Sequence, residues 1–499
     1  MSAAAPRHGP AAPWATATPD WHIVAGGLVL CAAAIVFGTE ITAISQINDW
    51  WLDEAFSLFV SEPGLGFSDA LQHRILPDSN PPLYYVLLFA ARRWIPDDRA
   101  AILALNGLAI GAAAVAVGLI GRRRRVAGFA LAGFSAFLIS GPVLRFAVEG
   151  RAYLLALMVT YVATLLSALA LDPASPRPAW WSWTLLGVVA GLTHFFAGLF
   201  CGCLAAGLLL TSLTCRRRAL IMPALALGIG SSATLIFWFL MFGYRTTGRL
   251  SWLVFSADAV AAAGDELRQT IFGAGLAAVA CAAVFVVSLW VPRTRPLAIL
   301  VGTTVALFFA VPCALCLAQP IIEGRYWLIG APIVFVFLTF VARSALSEWR
   351  PPAGLRLRGS TCAGVVALLL VMNVGGFFAA RQLTADLPFW KGLPLVKPLL
   401  AQCGPASIHV NWLPQMVAAV THAPASLFVN VAAGAPAPDG RADPGCPILG
   451  WAEHLGGDDA FVDASSNMQL LNLLHIQASP ADVTILRHRR GFVVLRAHG

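Results

Sequence analysis

Asn48-Asp49-Trp50-Trp51-Leu52-Asp53-Glu54-Ala55-Phe56-Ser57 follows closely on an apolar stretch that runs from Trp21 to Ser45. That stretch is long enough to cross a bilayer as a helix. The acids therefore stand where the chain leaves the membrane. Trp50, Trp51, Phe56 and Phe59 around them have the amphipathic character of an interface belt. Carboxylates at a bilayer edge are costly to keep, and mark a candidate functional site. If the segment is helical, Asp49 and Asp53 share one face and Glu54 points about 100° away. A carboxylate here can take a proton from an attacking hydroxyl or amine. The plainer reading is that both acids solvate an external loop or cap the helix that follows.

The rest of the chain agrees with a membrane setting. It has 499 residues, 58% of them hydrophobic and only 12% charged, against roughly 25% charged in soluble domains. The formal charge of +8 is carried by arginine, since Lys391 and Lys397 are the only lysines. No basic patch interleaved with aromatics points to nucleic acid, and no Gly-rich nucleotide fingerprint occurs. Residues 1–20, rich in Ala and Pro, read as a disordered cytoplasmic N-terminus. The stretch after them is too long for a signal-peptide core and reads as a retained first span.

Apolar segments separated by turns or charges predict an α-helical polytopic protein of about eleven transmembrane helices. Their expected limits are 22–45, 99–121, 126–141, 152–171, 180–194, 196–214, 219–242, 270–291, 297–318, 326–342 and 360–380. Arg122 to Arg125, Arg216 to Arg218, Arg293 with Arg295, and the arginines from Arg343 to Arg358 fall in alternate loops, which the positive-inside rule makes cytoplasmic. The opposite loops hold most of the acids, including Asp49, Asp53, Glu54, Asp78, Glu149, Glu266 and Glu323. The segment from Pro82 to Trp94 is too short to span. It reads as an interfacial or re-entrant helix begun by Pro81-Pro82, inside one large external loop, 46–98. The transmembrane domain is then 21–380. Residues 381–499 are less apolar and read as a small extracytoplasmic α/β domain. Its strands are expected at 407–410, 426–431, 483–486 and 491–495, and its helices at 413–421 and 468–475.

Three further constellations map to the same outer side. Arg145, Glu149, Arg151 and Tyr153 lie at the end of the third span, where two arginines and a glutamate can hold a lipid phosphate and each other. Snorkelling arginines that end a helix are the equal alternative. His194 falls at an outer turn, where a lone histidine is more often a structural hydrogen-bonding group. Glu323, Arg325 and Tyr326 stand at the outer entry of the tenth span, and offer a second phosphate candidate. Cys201, Cys203, Cys313 and Cys316 lie in apolar spans and read as small core residues. Cys403 and Cys446 lie in the tail, where an oxidising exterior would let them pair and a reducing one would not.

The order of these elements resembles glycosyltransferase family 39, which includes protein O-mannosyltransferases and the bacterial lipid A aminoarabinose transferase. The resemblance is carried by Asp53-Glu54 after the first span, then Asp78-Ser79-Asn80-Pro81-Pro82-Leu83-Tyr84-Tyr85, the outer Arg151 with Tyr153, Thr193-His194, and the late Arg325-Tyr326. It covers about residues 45–345. It implies the membrane glycosyltransferase fold of class C and a polyprenyl-phosphate sugar donor used at the outer face of a bacterial inner membrane. It also implies Asp53 as catalytic base, Glu54 as its motif neighbour and Asp78 as the second acidic position. Arg151 and Arg325 as holders of the donor phosphate are a physical inference beside the motif. Where the family usually has His-Pro-Pro this chain has Asn80-Pro81-Pro82, so a proton role at that position is lost. No cofactor or metal is required by these residues, although Asp49, Asp53 and Asp78 together could take a divalent cation.

Membrane lipids and the lipid-linked donor are thus the expected partners, with an acceptor among glycolipids, polysaccharides and proteins. Two other readings compete. A flippase of polyprenyl-linked glycans would place charges at mid-membrane, whereas Glu40 is the one acid within a predicted span. A non-catalytic partner in envelope assembly would use the outer domain for binding and would not need Asp53.

Overall fold

The computed structural model describes residues 21–47, 52–78, 80–123, 126–172, 178–242, 256–273, 275–317, 323–347 and 355–386, and in the C-terminal part residues 403, 408–410, 418, 428–430, 448–451, 483–488 and 492–497. The apolar segments all become helical. In chain order the helices begin with α1 (Trp21–Ile47), α2 (Leu52–Val60), α3 (Phe67–Ala70), α4 (Leu83–Trp94), α5 (Asp98–Arg123) and α6 (Ala127–Leu138). Next come α7 (Gly141–Phe146), α8 (Tyr153–Ala170), α9 (Trp180–Thr193), α10 (Phe195–Thr214), α11 (Ile221–Phe242) and α12 (Ala257–Phe272). The series ends with α13 (Gly275–Trp290), α14 (Arg295–Leu315), α15 (Gly324–Trp327), α16 (Pro332–Ser347) and α17 (Leu355–Asp386).

Among the described residues, seven helical segments are long and apolar enough to cross a membrane by themselves, and eight if a bent pair counts as one span. The chain is a multi-pass membrane protein. The bent pair is α12 and α13, which meet at 83°. The break falls at Gly273, whose φ of 65° suits a residue without Cβ. The predicted span at 270–291 is therefore α13 with an amphipathic arm, α12, turned away from it. The segments predicted at 126–141 and 180–194 form helices of 12 and 14 residues, shorter than the ~20 residues a full crossing uses.

The interior is built on α8 and α16, the latter continuing α15, whose apolar windows are each 78% buried; α1 stands at the edge with 11%. Hydroxyls inside these helices turn back on their own backbone, as Thr160, Thr164 and Ser167 do along α8. Thr160 Oγ1 also donates to Ile329 O at 2.9 Å, tying α8 to the short 3₁₀ turn between α15 and α16. Cys201, Cys203 and Cys316 are buried core residues, and Cys313 is half-buried.

The outer loop holds α2, α3 and α4. The 12 residues of α4 make a rod of about 18 Å, too short to span, as its sequence implied. Its inner face packs with α2 into a second core of Ala55, Leu58, Tyr84, Tyr85, Leu88 and Phe89. Arg92 fastens the two helices: its guanidinium donates to Leu58 O at 2.6 Å and Ser61 O at 2.9 Å, and pairs with Asp98 at 2.6 Å.

The C-terminal part forms a five-stranded sheet in the order β2-β1-β3-β5-β4, from β1 (Ile408–Val410), β2 (Phe428–Asn430), β3 (Ile448–Trp451), β4 (Val483–His488) and β5 (Phe492–Ala497). β1 runs parallel to β2 and β3, while β3, β5 and β4 are antiparallel neighbours. Parallel pairs need crossover connections, here 411–427 and 431–447, which lie outside the described residues apart from the helical residue 418. The helix expected at 468–475 also lies outside them. β3 was not expected from the sequence. Ile408, Val410 and Cys403 are buried in the same apolar cluster as α2 and α4, so the sheet is seated on the outer loop. Cys403 is disulfide-bonded. Cys446 lies outside the described residues.

Candidate active site

Asp53 occupies the first turn of α2 and Glu54 follows it, so the helix sends them in different directions. The Asp53 carboxylate faces two cations. Its Oδ2 lies 3.1 Å from Arg325 Nη1 and 3.7 Å from Arg151 Nη2. Arg325 is also held by Glu323, at 2.8 Å. Its guanidinium stands 5.8 Å from the ring centroid of Tyr153 and 5.7 Å from that of Tyr326. Residues at the starts of α2, α8 and α15 thus converge on one point.

Beside this cluster lies a small recess lined by Asn80, Pro81, Tyr84, Tyr85, Arg151, Ala152, Tyr153 and His194. Pro82 caps the N-terminus of α4 and aims Tyr84 and Tyr85 at it. The Tyr85 hydroxyl accepts from Arg151 Nη1 at 2.9 Å, and the Asp78 carboxylate is close enough to act on the phenol. Asp78 Oδ2 accepts from Asn80 Nδ2 at 3.1 Å. Burial pushes the Tyr84 and Tyr85 phenols up, and Asp78 adds to the effect at Tyr85, so both keep their protons at neutral pH. His194 Nδ1 accepts from the Phe196 N–H at 3.2 Å and caps α10. Its ring lies 5.2 Å from Tyr153 and 5.7 Å from Tyr326. It is both the structural cap that a lone histidine suggested and a wall of the pocket.

Glu54 has a different task. Its Oε1 accepts from the Gly150 N–H at 2.8 Å and lies 3.3 Å from Arg99 Nη1. Arg99 donates in turn to Val148 O at 3.1 Å, and Asn106 Nδ2 donates to Ala147 O at 2.9 Å and Glu149 O at 3.1 Å. The loop 147–150, which delivers Arg151, is therefore pinned atom by atom from α2 and α5. Gly150 is the residue that fits, because a Cβ there would come within 2.7 Å of Ile102 Cδ1.

Arg145 and Glu149 were expected to hold each other over a lipid phosphate. Instead Arg145 forms an ion pair with Glu266 of α12 and stacks beside Phe146, outside the pocket lining. Glu149 is 3% exposed, and among the described residues its Oε2 has no hydrogen-bond partner. Burial pushes its carboxyl up to about 8, against the pull of Arg145 and Arg325 and with the push of Glu54 and Asp53. Burial also raises Glu323, which Arg325 opposes. Asp49, the third member of the conceivable cation cluster, lies outside the described residues. Among those described, no group of three His, Cys, Asp or Glu is placed to hold a metal ion.

Arg99, Asn106 and Glu266 belong to this site and were not singled out from the sequence as partners in it. Arg99 and Asn106 sit seven positions apart on α5, so they share a face. A polar pair on an otherwise apolar helix is the signal that would have found them. Glu266 reads only as one more outer acid until the fold brings α12 onto α7.

These observations define a class: the chain has the class C fold of membrane glycosyltransferases. The crystal structure of ArnT from Cupriavidus metallidurans bound to undecaprenyl phosphate is similar to it, with a TM-score of 0.52 and 15% identity over 96% of this chain and 98% of that one. The apo structure of the same protein gives a TM-score of 0.52 and 14% identity over 94% and 97%. No protein-family model and no curated protein sequence matches the chain.

Proposed function

We propose that the chain is an inverting glycosyltransferase resembling family 39, which moves a sugar from a polyprenyl-phosphate donor to a cell-envelope acceptor. The observation that carries the reading is the placement of Asp53 between Arg325 and Arg151 at the edge of a tyrosine-lined pocket. One acid and two fixed guanidiniums are the parts a direct displacement needs. The guanidiniums take the phosphate of the donor, which replaces Asp53 as their counter-ion. Asp53, freed from them, accepts the proton of the acceptor hydroxyl or amine. The acceptor atom bonds to the anomeric carbon as the bond from that carbon to the phosphate oxygen breaks, and polyprenyl phosphate leaves. Preorganised cations stabilise the charge that grows on the leaving group. A single displacement inverts the anomeric centre. No step is routed through a metal ion, so transfer is expected to persist in a chelator.

Undecaprenyl phosphate is bound in one of the two similar structures, which supports a donor on the same kind of lipid. The arginine-rich loops support a cytoplasmic N-terminus, with the site and the sheet outside, in a bacterial inner membrane. A disulfide at Cys403 suits an oxidising compartment.

The test is turnover by purified protein in nanodiscs with a panel of polyprenyl-phosphate sugars and an envelope extract. Release of polyprenyl phosphate is expected from wild type and is expected to fall at least a hundredfold in Asp53→Asn. Equal turnover in the two would remove Asp53 as the base. Capture of intact lipid-linked glycan with transport and no turnover would favour the flippase reading.

A further inference from the structure

Asp78 and Tyr85 stand behind Arg151, and the transfer chemistry above uses neither of them. Asp78 is 7% exposed and Tyr85 3%. Asp78 lies just ahead of α4, which starts at Leu83 with Pro82 at its N-cap and carries Tyr85 in its first turn. The Tyr85 hydroxyl takes one hydrogen bond, from Arg151 Nη1 at 2.9 Å, and has one proton of its own to give, for which Asp78 is the neighbouring carboxylate. The other demand on Asp78 is met by the Asn80 amide, 3.1 Å from Oδ2. Both arms of Arg151 are thereby committed: Nη1 to Tyr85, and Nη2 toward Asp53 at 3.7 Å.

We infer that Tyr85 is a positioning residue for Arg151 and that Asp78 acts through Tyr85, not as a second acid or base on the substrate. The inference rests on the reading of Arg151 as a holder of the donor phosphate. A phenol cannot bind a guanidinium in a fixed direction unless its own proton is taken up elsewhere. Asp78 takes it and turns the oxygen lone pairs toward Arg151. The carboxylate also places negative charge behind the phenol, which strengthens the acceptor that Arg151 sees. Asn80 completes the set as a neutral donor to the Asp78 carboxylate. This gives Asn80 a part to play at the position where the resembling family usually carries histidine. It also explains why an acid so near the pocket is turned away from it.

The experiment compares wild type with Tyr85→Phe, Asp78→Asn and the double variant, each in nanodiscs. Two readouts are taken: equilibrium binding of undecaprenyl phosphate, and donor KM and kcat separately. Phenylalanine keeps the buried ring, and asparagine keeps the shape, so both variants preserve the packing of α4. Losing a hydrogen bond to a charged group is expected to weaken undecaprenyl phosphate binding about tenfold in each single variant. The rise should fall mainly on donor KM. Because both residues act through one guanidinium, the double variant is expected to be no weaker than the weaker single one. Undecaprenyl phosphate binding that is unchanged in Tyr85→Phe would overturn the inference while leaving the phosphate site standing. A loss in Asp78→Asn that falls on kcat alone, and multiplies with that of Tyr85→Phe, would make Asp78 a catalytic group and overturn it too. Wild type that does not bind undecaprenyl phosphate would remove the underlying reading, and the inference with it.

Discussion

Neighbouring acids in this chain have separate fates, and direction along a helix decides them. Asp53 faces Arg325 and Arg151, whereas Glu54, one residue on, is buried against Gly150 and Arg99. The Asp-Glu pair is legible as a motif, and the 100° between consecutive helical residues already separates the two roles. The third acid, Glu149, is the informative one for pH. Its carboxyl is raised to about 8 by burial, so the folded state holds a proton that the unfolded chain releases near the ordinary glutamate value. Between those two values the folded protein binds more protons than the unfolded one, so stability falls as pH rises. The contribution is fully present below the unfolded value and lost above about 8. Glu149→Gln is expected to flatten this slope, with little change in Tm at pH 5 and a higher Tm than wild type at pH 8 to 9. Thermal melts across that range check it. A variant that melts lower than wild type at both ends would show that the carboxyl is needed in its charged form.

Among the elements, the short ones position the chemistry. The 147–150 loop has no regular structure of its own, and its backbone groups are met by Glu54, Arg99 and Asn106. Asn106→Ala would strand two carbonyls and is expected to cost about 1–3 kcal/mol of stability, read by chemical or thermal unfolding. The larger effect should be on transfer, because Arg151 follows the loop directly. Gly150→Ala should act the same way through the contact with Ile102, and neither change touches the pocket. Unaltered turnover in both would mean that the loop need not be fixed. The helices were legible as apolar segments because hydropathy is a local property, but eleven spans were expected and the described residues hold seven, or eight with the bent pair, because helix length is not fixed by hydropathy alone. α4 was legible because Pro81-Pro82 and its short length both exclude a span. The bend at Gly273 and the pairing of Arg145 with Glu266 were not, since both depend on how distant helices pack. β3 escaped notice because Ile448 to Trp451 is short and follows Pro447, with little alternation to mark it.

At the scale of the molecule, the arginine clusters and the acids of the opposite loops are consistent with one orientation, which the proposal adopts. His73 and Arg293 are both exposed and sit in loops assigned to opposite sides. A cysteine introduced by His73→Cys should react with an impermeant maleimide added outside intact cells, above the wild-type background, while Arg293→Cys should react only after the membrane is opened. The reverse pattern would invert the topology and put the site in the cytoplasm. The sheet adds a structural bond between the two ends of the chain, since Ile408 and Val410 share a core with Tyr84, Tyr85 and Leu88. The sequence shows that a strand-rich tail exists, but a contact across more than three hundred residues has no local signature. All of this serves one claim, that the meeting point of Asp53, Arg151 and Arg325 is where a lipid-linked sugar is opened. The most direct measurement is the structure of Asp53→Asn in a nanodisc with its turnover-competent polyprenyl-phosphate sugar. The account predicts the donor phosphate in hydrogen-bond contact with both Arg151 and Arg325, and the anomeric carbon turned toward position 53. A donor phosphate held elsewhere, with the two arginines still paired inside the protein, would contradict it.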